Sequence, residues 1–198
     1  YPDGYYWFYL YMGAKYNIPE FVAMANYVFE IVKEKNILSP NNLIRYMLHP
    51  ELIDYEAELC GIPTQYHAYY AESGIARVRK NGYTYTVMRD KSNFLHVNNG
   101  HIKLAVKIGG SFCEHRAFKA EKMWEENGEF HLHQTMHGWY YLPFEEAPAT
   151  SDWWKMDNAS RPKKWGPDMD IDVIVRDTAD GIDVDIRTSG VKGAPWRI

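Results

Sequence analysis

His131, His133 and His137 stand two and four residues apart within residues 129–144, a run that reads as one long strand. Side chains alternate along a strand, so all three histidines share a face. His131 and His133 then lie ~6.6–7 Å apart, near enough for tilted imidazoles to share one metal ion. His137 lies ~20 Å from His131 on a straight strand and joins them only through a bend at Gly138. A zinc site also requires a third ligand, which the sequence does not mark. The same pattern also reads as a face turned to a substrate, or as a polar sheet face turned to solvent.

Aromatic residues follow directly: Trp139, Tyr140 and Tyr141, then Trp153, Trp154 and Trp165 in the next segment. Such rings suit stacking on flat sugar faces, and they equally suit pinning a long loop to a sheet. Arg161, Lys163 and Lys164 stand beside Trp165, where they would meet an anionic sugar carboxylate or sulfate, or simply solvent. The candidate substrate-binding set is His131, His133, His137, Trp139, Tyr141, Trp153 and Trp154, and no catalytic residue is assigned. Asp168, Asp170, Asp172, Asp183 and Asp185 have the carboxylate density that calcium favours, but cross-strand pairing to Arg176 and Arg187 accounts for several of them. Cys113 and His115 would share a face with no third group to orient the imidazole, so a Cys-His nucleophile is not expected. Asn158-Ala159-Ser160 is a glycosylation sequon, meaningful only in a eukaryotic secretory setting. There is no nucleotide-binding loop, nucleophile elbow or two-cysteine zinc knuckle. No cofactor is expected beyond a divalent metal at the histidines.

Composition narrows the partners. The net charge of −4 over 198 residues is modest, and Lys and Arg form no dense block beyond residues 161–164. A nucleic-acid partner is therefore not expected. No run approaches the ~20 apolar residues that cross a bilayer, so neither is a membrane partner. Aromatics make up 16% of the chain, with 16 Tyr and 7 Trp, which fits a carbohydrate-handling surface or a large aromatic core. Cys60 and Cys113 are too few for a disulfide framework and are expected as two buried thiols. The chain starts at Tyr1 without an initiator Met and ends at Ile198 in a strand-like run, which reads as a segment of a larger protein. Oligomeric state and localisation are left open, with a secreted or periplasmic setting favoured over the cytoplasm.

Two kinds of scaffold must position these residues, because the hydrophobic period changes near Ser73-Gly74. Residues 5–16 are apolar or aromatic all round, so a helix there must be covered or line a cleft. Asn17, Pro19 and Glu20 form a capping-box-like start for a second helix with Phe21, Met24, Ala25, Val28, Ile31 and Val32 on one face. Ser39-Pro40 opens a third, with Leu43, Tyr46, Met47 and Leu48 as its apolar positions, and residues 52–59 suggest a short fourth. After Gly74 the chain alternates. Residues 75–80 and 83–89 flank Asn81-Gly82, the pair favoured in two-residue hairpins. Residues 93–97 and 101–108 flank Asn98-Asn99-Gly100, with Ile102, Leu104, Val106 and Ile108 directed to one side. Residues 145–168 read as a long loop. The final hairpin, around residues 178–181, sets Val175 against Val184 and Val173 against Ile186. It also sets Arg176 against Asp183 and Asp172 against Arg187. The fold class is thus α+β: a helical segment over residues 1–66, then a large antiparallel β-sandwich over 67–198.

Several runs together resemble one family: Tyr69 to Ile75, Ile108-Gly109-Gly110-Ser111-Phe112, Gly138 to Phe144 and Gly190 to Ile198. Following Tyr-rich helices, they are similar to the domain junction of polysaccharide lyases and heparinase II/III-like proteins. The resemblance implies the end of an (α/α) toroid joined to a galactose-mutarotase-like super-sandwich. It further implies a bacterial carbohydrate-active protein whose partner is a polysaccharide or oligosaccharide. Such lyases cleave uronate polymers by β-elimination: a base removes the proton α to the carboxylate while cationic or amide groups neutralise the enolate. The histidine-rich signature of the heparinase type is not matched by Asn98-Asn99-Gly100-His101. Whether the chain is an enzyme is left open. The alternative is a non-catalytic carbohydrate-binding or scaffold protein of the same architecture. A toroid-plus-sandwich glycoside hydrolase would require paired carboxylates that are not evident.

Overall fold

Asn17 separates the first two helices, and it does so by closing the first. A computed structural model describes residues 2–37, 39–57, 60–80, 82–179 and 181–198, with side chains from residue 4 onward. Among these, α1 (Pro2–Tyr16), α2 (Pro19–Glu34) and α3 (Asn41–Leu48) are followed by a 3₁₀ turn at Pro50–Leu52. Asn17 takes a left-handed backbone, φ 52°, and the Ile18 N–H donates to the Gly13 carbonyl at 2.9 Å. That is the helix-ending arrangement in which Asn substitutes for Gly. Ile18, not Asn17, precedes α2 and offers no side-chain cap, so the capping box read from the sequence does not form. Gly13 permits close approach of the two helices, since a Cβ there would meet Val22 Cγ2 at 2.6 Å.

The helical core is small: Leu10, Val22, Ala25 and Leu52, with Trp7, Tyr9, Tyr11 and Tyr46 packed around it. The apolar positions of α3 expected to face inward are in part turned outward. Leu43, Met47 and Leu48 are exposed, Met47 by 74%. The short helix expected over 52–59 is replaced by the Pro50–Leu52 turn, because Pro50 restricts His49 and nothing caps a new helix after it. Residues 58 and 59 lie outside the described residues, as do Asn81 and Asp180 of the two hairpin turns.

The chain divides into two compact units, Tyr1–Thr64 and Gln65–Ile198. The second is an antiparallel β-sandwich, so the fold is α+β. Its five-stranded sheet runs in the order β1 (Tyr66–Tyr70), β2 (Ile75–Lys80), β3 (Tyr83–Met88), β4 (Leu95–Asn98) and β5 (Lys103–Val106). A three-stranded sheet joins β6 (Gly109–Phe112) to β7 (His115–Ala117) and β12 (Trp196–Arg197). The four-stranded sheet comprises β8 (Lys122–Glu126), β9 (Glu129–Tyr141), β10 (Lys163–Asp177) and β11 (Ile182–Ser189), in the order β11-β10-β9-β8.

Alternation explains the core. Ala76, Val78, Tyr85, Val87 and Leu95 point from the five-stranded sheet onto Phe130, Leu132, Met136, Ile171, Val173 and Val175 of the four-stranded one. Phe130 is fully buried beneath Tyr85, Tyr69 and His67. The Tyr69 hydroxyl donates to the Met123 carbonyl at 2.7 Å, tying β1 to β8. At the other end Lys80 pairs with Asp177, which also accepts from the Tyr83 hydroxyl at 3.4 Å. The Tyr85 hydroxyl is buried there with no hydrogen-bond partner.

Both hairpin registers match the sequence pattern. Lys80 faces Tyr83 across Gly82, whose φ is 88°. Val175 faces Val184, Val173 faces Ile186, Arg176 faces Asp183 and Asp172 faces Arg187. Two expectations are corrected. In residues 101–108 Ile108 is buried in the core and Val106 packs against it, while Ile102 and Leu104 stay exposed because β5 is an edge strand. The loop expected over 145–168 ends earlier, since Lys163, Lys164 and Trp165 pair with Tyr141, Tyr140 and Trp139. Gly166 and Pro167 form a bulge opposite Gly138, where a Cβ would meet the Pro167 carbonyl oxygen at 2.4 Å.

Candidate functional site

Inward burial of Phe130, Leu132, Gln134 and Met136 turns Glu129, His131, His133, Thr135 and His137 to the outer face of β9. The register of β10 sets Asp172, Asp170 and Asp168 directly beside His133, Thr135 and His137. His133 Nδ1 donates to Asp172 Oδ1 at 2.7 Å, and its Nε2 meets Thr135 Oγ1 at 3.1 Å. The Thr135 hydroxyl in turn donates to Asp170 Oδ1 at 2.7 Å. His137 Nδ1 meets Asp168 Oδ1 at 3.0 Å. His131 stacks on Trp124, ring centres 5.2 Å apart, with Nε2 3.8 Å from Glu129. Beside it lies a shallow cavity of 180 Å³ lined by Trp124, His131, Asp172, Ile174 and Arg187.

Each histidine on this face thus has its own carboxylate. Among the described residues no group of three or more His, Cys, Asp or Glu side chains is placed to hold a metal ion. Of the aspartates that suggested calcium, Asp168, Asp170 and Asp172 are engaged by His137, Thr135 and His133, and Asp185 by the arginines. The arginine pairings differ from the cross-strand ones read from the register. Arg176 meets Glu129 at 3.1 Å and Asp185 at 3.9 Å, and Arg187 meets Asp185 at 2.6 Å. The Val175–Phe130 pair brings Glu129 of β9 beside Arg176, Asp185 is the diagonal neighbour of Arg176 on β11, and Asp185 and Arg187 are two residues apart on the same strand.

Beyond Gly138 the same face becomes aromatic and cationic. Trp139 and Tyr141 meet edge to face at 4.8 Å. Lys163 Nζ sits 4.1 Å from the Trp139 ring centre and 5.6 Å from that of Tyr141. The Arg161 guanidinium lies 5.1 Å from Tyr141, 5.2 Å from Phe144 and 5.5 Å from Trp153, and its Nε donates to the Leu142 carbonyl at 3.0 Å. The Trp139 indole donates to Glu114 Oε1 at 2.8 Å. Trp139 and Tyr141 therefore support the cations, and their faces are already occupied. Among the described residues no carboxylate forms an ion pair with Arg161, Lys163 or Lys164.

The rings open to a ligand are others. Trp154 is 90% exposed, on a 3₁₀ turn whose backbone is held by Asp152, accepting from the Trp154 N–H at 3.1 Å, and by Asn158, donating to the Trp153 carbonyl at 2.9 Å. That bond also turns the sequon amide inward. Trp165 and Tyr140 are each 65% exposed. Tyr140 lies on the opposite side of β9 beside Cys113, whose hydrogen bond holds the phenol above its ordinary pKa. Neither Cys113 nor Cys60 is buried as expected, and neither forms a disulfide.

The structure thus brings His131, His133, His137, Trp139 and Tyr141 onto one face, with Trp153 joined to it through Arg161. No contact described here joins Trp154 to that face. Sequence reading did not include Arg161, Lys163, Trp165 or Phe144 in the binding set. Arg161, Lys163 and Trp165 stood out in the sequence as possible sugar contacts, but their pairing to the face of Trp139 and Tyr141 depends on the bulge, which no local pattern announced. Comparison of the chain with protein-family models, with curated proteins and with solved structures finds no match.

Proposed function

We propose that this chain is part of a polysaccharide-lyase-like protein and that its β-sandwich grips an anionic polysaccharide at the aromatic end of β9 and β10. One observation carries the reading. Among the described residues Arg161 and Lys163 are held on aromatic faces without carboxylate partners, and the open ring of Trp165 belongs to the register partner of Trp139. Cations prepositioned on rings present charge to a uronate carboxylate, while exposed rings stack on sugar faces. In β-elimination such cations also neutralise the developing enolate.

The histidine half of the face is closed by its own aspartates and supports the reading less. Both ring nitrogens of His133 are engaged, by Asp172 and Thr135, so it is poorly placed to act as a base. That detail favours the second reading, a carbohydrate-binding role without cleavage. A panel of uronate polysaccharides separates the two: lyase action releases an unsaturated sugar followed by its ultraviolet absorbance, whereas a binding protein is retained without product. Trp165→Ala is expected to weaken polysaccharide binding about fivefold, roughly 1 kcal/mol, in a retardation gel. Unchanged retardation of this variant and of Arg161→Ala would remove the aromatic end from the proposal.

A further inference from the structure

The second sheet of the sandwich carries a surface that the reading above does not use. The described residues of β1 to β5 include Arg77, Arg79, Lys80 and Lys103 and no Asp or Glu. Every Asp and Glu found in a described strand lies on the four-stranded sheet. Alternation turns two rows outward. Arg77, Thr86 and His96 are register partners in one row, and Arg79, Thr84, Asn98 and Lys103 in the next.

These rows form a groove of 220 Å³ lined by Arg77, Thr84, Thr86, His96, Asn98 and Lys103. Arg77 is fixed in it: Nε donates to the Tyr66 hydroxyl at 3.1 Å and Nη1 to Thr86 Oγ1 at 2.8 Å. Both partners are neutral, so the guanidinium is oriented while its charge is left uncompensated and its Nη2 edge is open. Among the described residues no carboxylate forms an ion pair with Arg77, Arg79 or Lys103. Thr86, His96 and Asn98 add groups able to donate a hydrogen bond, the Thr84 hydroxyl already donates to the Asn98 carbonyl at 3.4 Å, and Val97, Leu104 and Ala105 complete the lining.

We infer that this groove is an anion-binding site, taking a compact oxyanion (a carboxylate, sulfate or phosphate group) against Arg77 and Lys103. An oriented guanidinium facing a cationic edge with neutral donors between them is suited to that chemistry, and the absence of acidic neighbours in the sheet leaves nothing to compete. The site is independent of Lys163 and Trp165 on β10 and of Arg161, Trp153 and Trp154 in the segment before it.

The test is a titration of the whole chain at constant ionic strength with sodium sulfate, sodium phosphate and sodium glucuronate in turn, following the NMR signals of His96 and of the Thr84 and Thr86 amides. Saturable shifts with at least one salt are expected, and their ranking separates a carboxylate source from a tetrahedral oxyanion. Arg77→Gln and Lys103→Gln are each expected to weaken binding at least about tenfold. Lys163→Gln, on the other sheet, should leave it unchanged. Lys103 makes no side-chain hydrogen bond or ion pair among the described residues, so its variant tests the site even if Arg77→Gln fails to fold. Linear shifts with all three salts, or saturation that Lys103→Gln does not alter, would overturn the inference.

Discussion

Tyr85 concentrates the electrostatics of the sandwich in one side chain. Burial first, then the negative charge of Asp177, push its phenol well above the ordinary 10.0. Tyr83 is raised for the same two reasons, and Lys80 is raised chiefly by its hydrogen bond to Asp177. The folded chain holds all three protons more tightly than the unfolded chain does. Their contribution is therefore complete below about pH 10 and is lost as pH climbs through the folded values. Urea midpoints measured from pH 8 upward should be flat and then fall above about pH 10. Tyr85→Phe removes the phenol that burial and the adjacent Asp177 carboxylate hold protonated, so it should make the alkaline decline shallower. A decline as steep as the parent's would take Tyr85 out of this account.

Gly138 shows why part of the candidate site could not be read from sequence. The hairpins announced themselves because period-two alternation and turn chemistry are local, and β9 was plain from the same alternation. The pairing of Lys163 to Trp165 was hidden by Gly166-Pro167, which locally signals a loop. Only the long partner strand makes a bulge there better than a break. The reversed exposure of Leu104 has a similar origin: alternation identifies a face, but only topology shows that β5 lies at an edge. In the helices, Asn17 satisfied a start signal and a stop signal at once, and the close approach of Gly13 to Val22 decided between them. Gly138→Ala should cost about 1–3 kcal/mol, because the new Cβ meets a backbone oxygen that cannot turn aside. Thermal unfolding of that variant checks it, and loss of Lys163 from the Trp139 ring should appear as a change in indole fluorescence.

At the scale of the molecule, the two units differ sharply in what they bury. Residues 65–198 enclose a continuous core spanning all three sheets, whereas the described residues of 1–64 bury, among apolar positions, only Tyr6, Leu10, Val22, Ala25, Val32 and Leu52 and leave Leu43, Met47 and Leu48 in the open. The fragment 65–198 is expected to unfold in one cooperative denaturant transition, and 1–64 in a shallow one with a low m-value. Equal cooperativity in both fragments would contradict this. No helix among the described residues is long and apolar enough to cross a membrane. The segregation of strand carboxylates onto one sheet has a consequence for motion through solution. A net charge of −4 suggests that polyanions are repelled, yet the described strands divide their charge. Every Asp and Glu in them lies on the four-stranded sheet, and the five-stranded one carries only Lys and Arg, which contributes an electric moment directed from the first to the second. Within a Debye length of ~8–10 Å that moment, not the total charge, sets the torque on the approaching molecule. A compact oxyanion would meet β2 to β5 first, whereas the polysaccharide grip at Arg161 and Lys163 would act by direct contact rather than by steering.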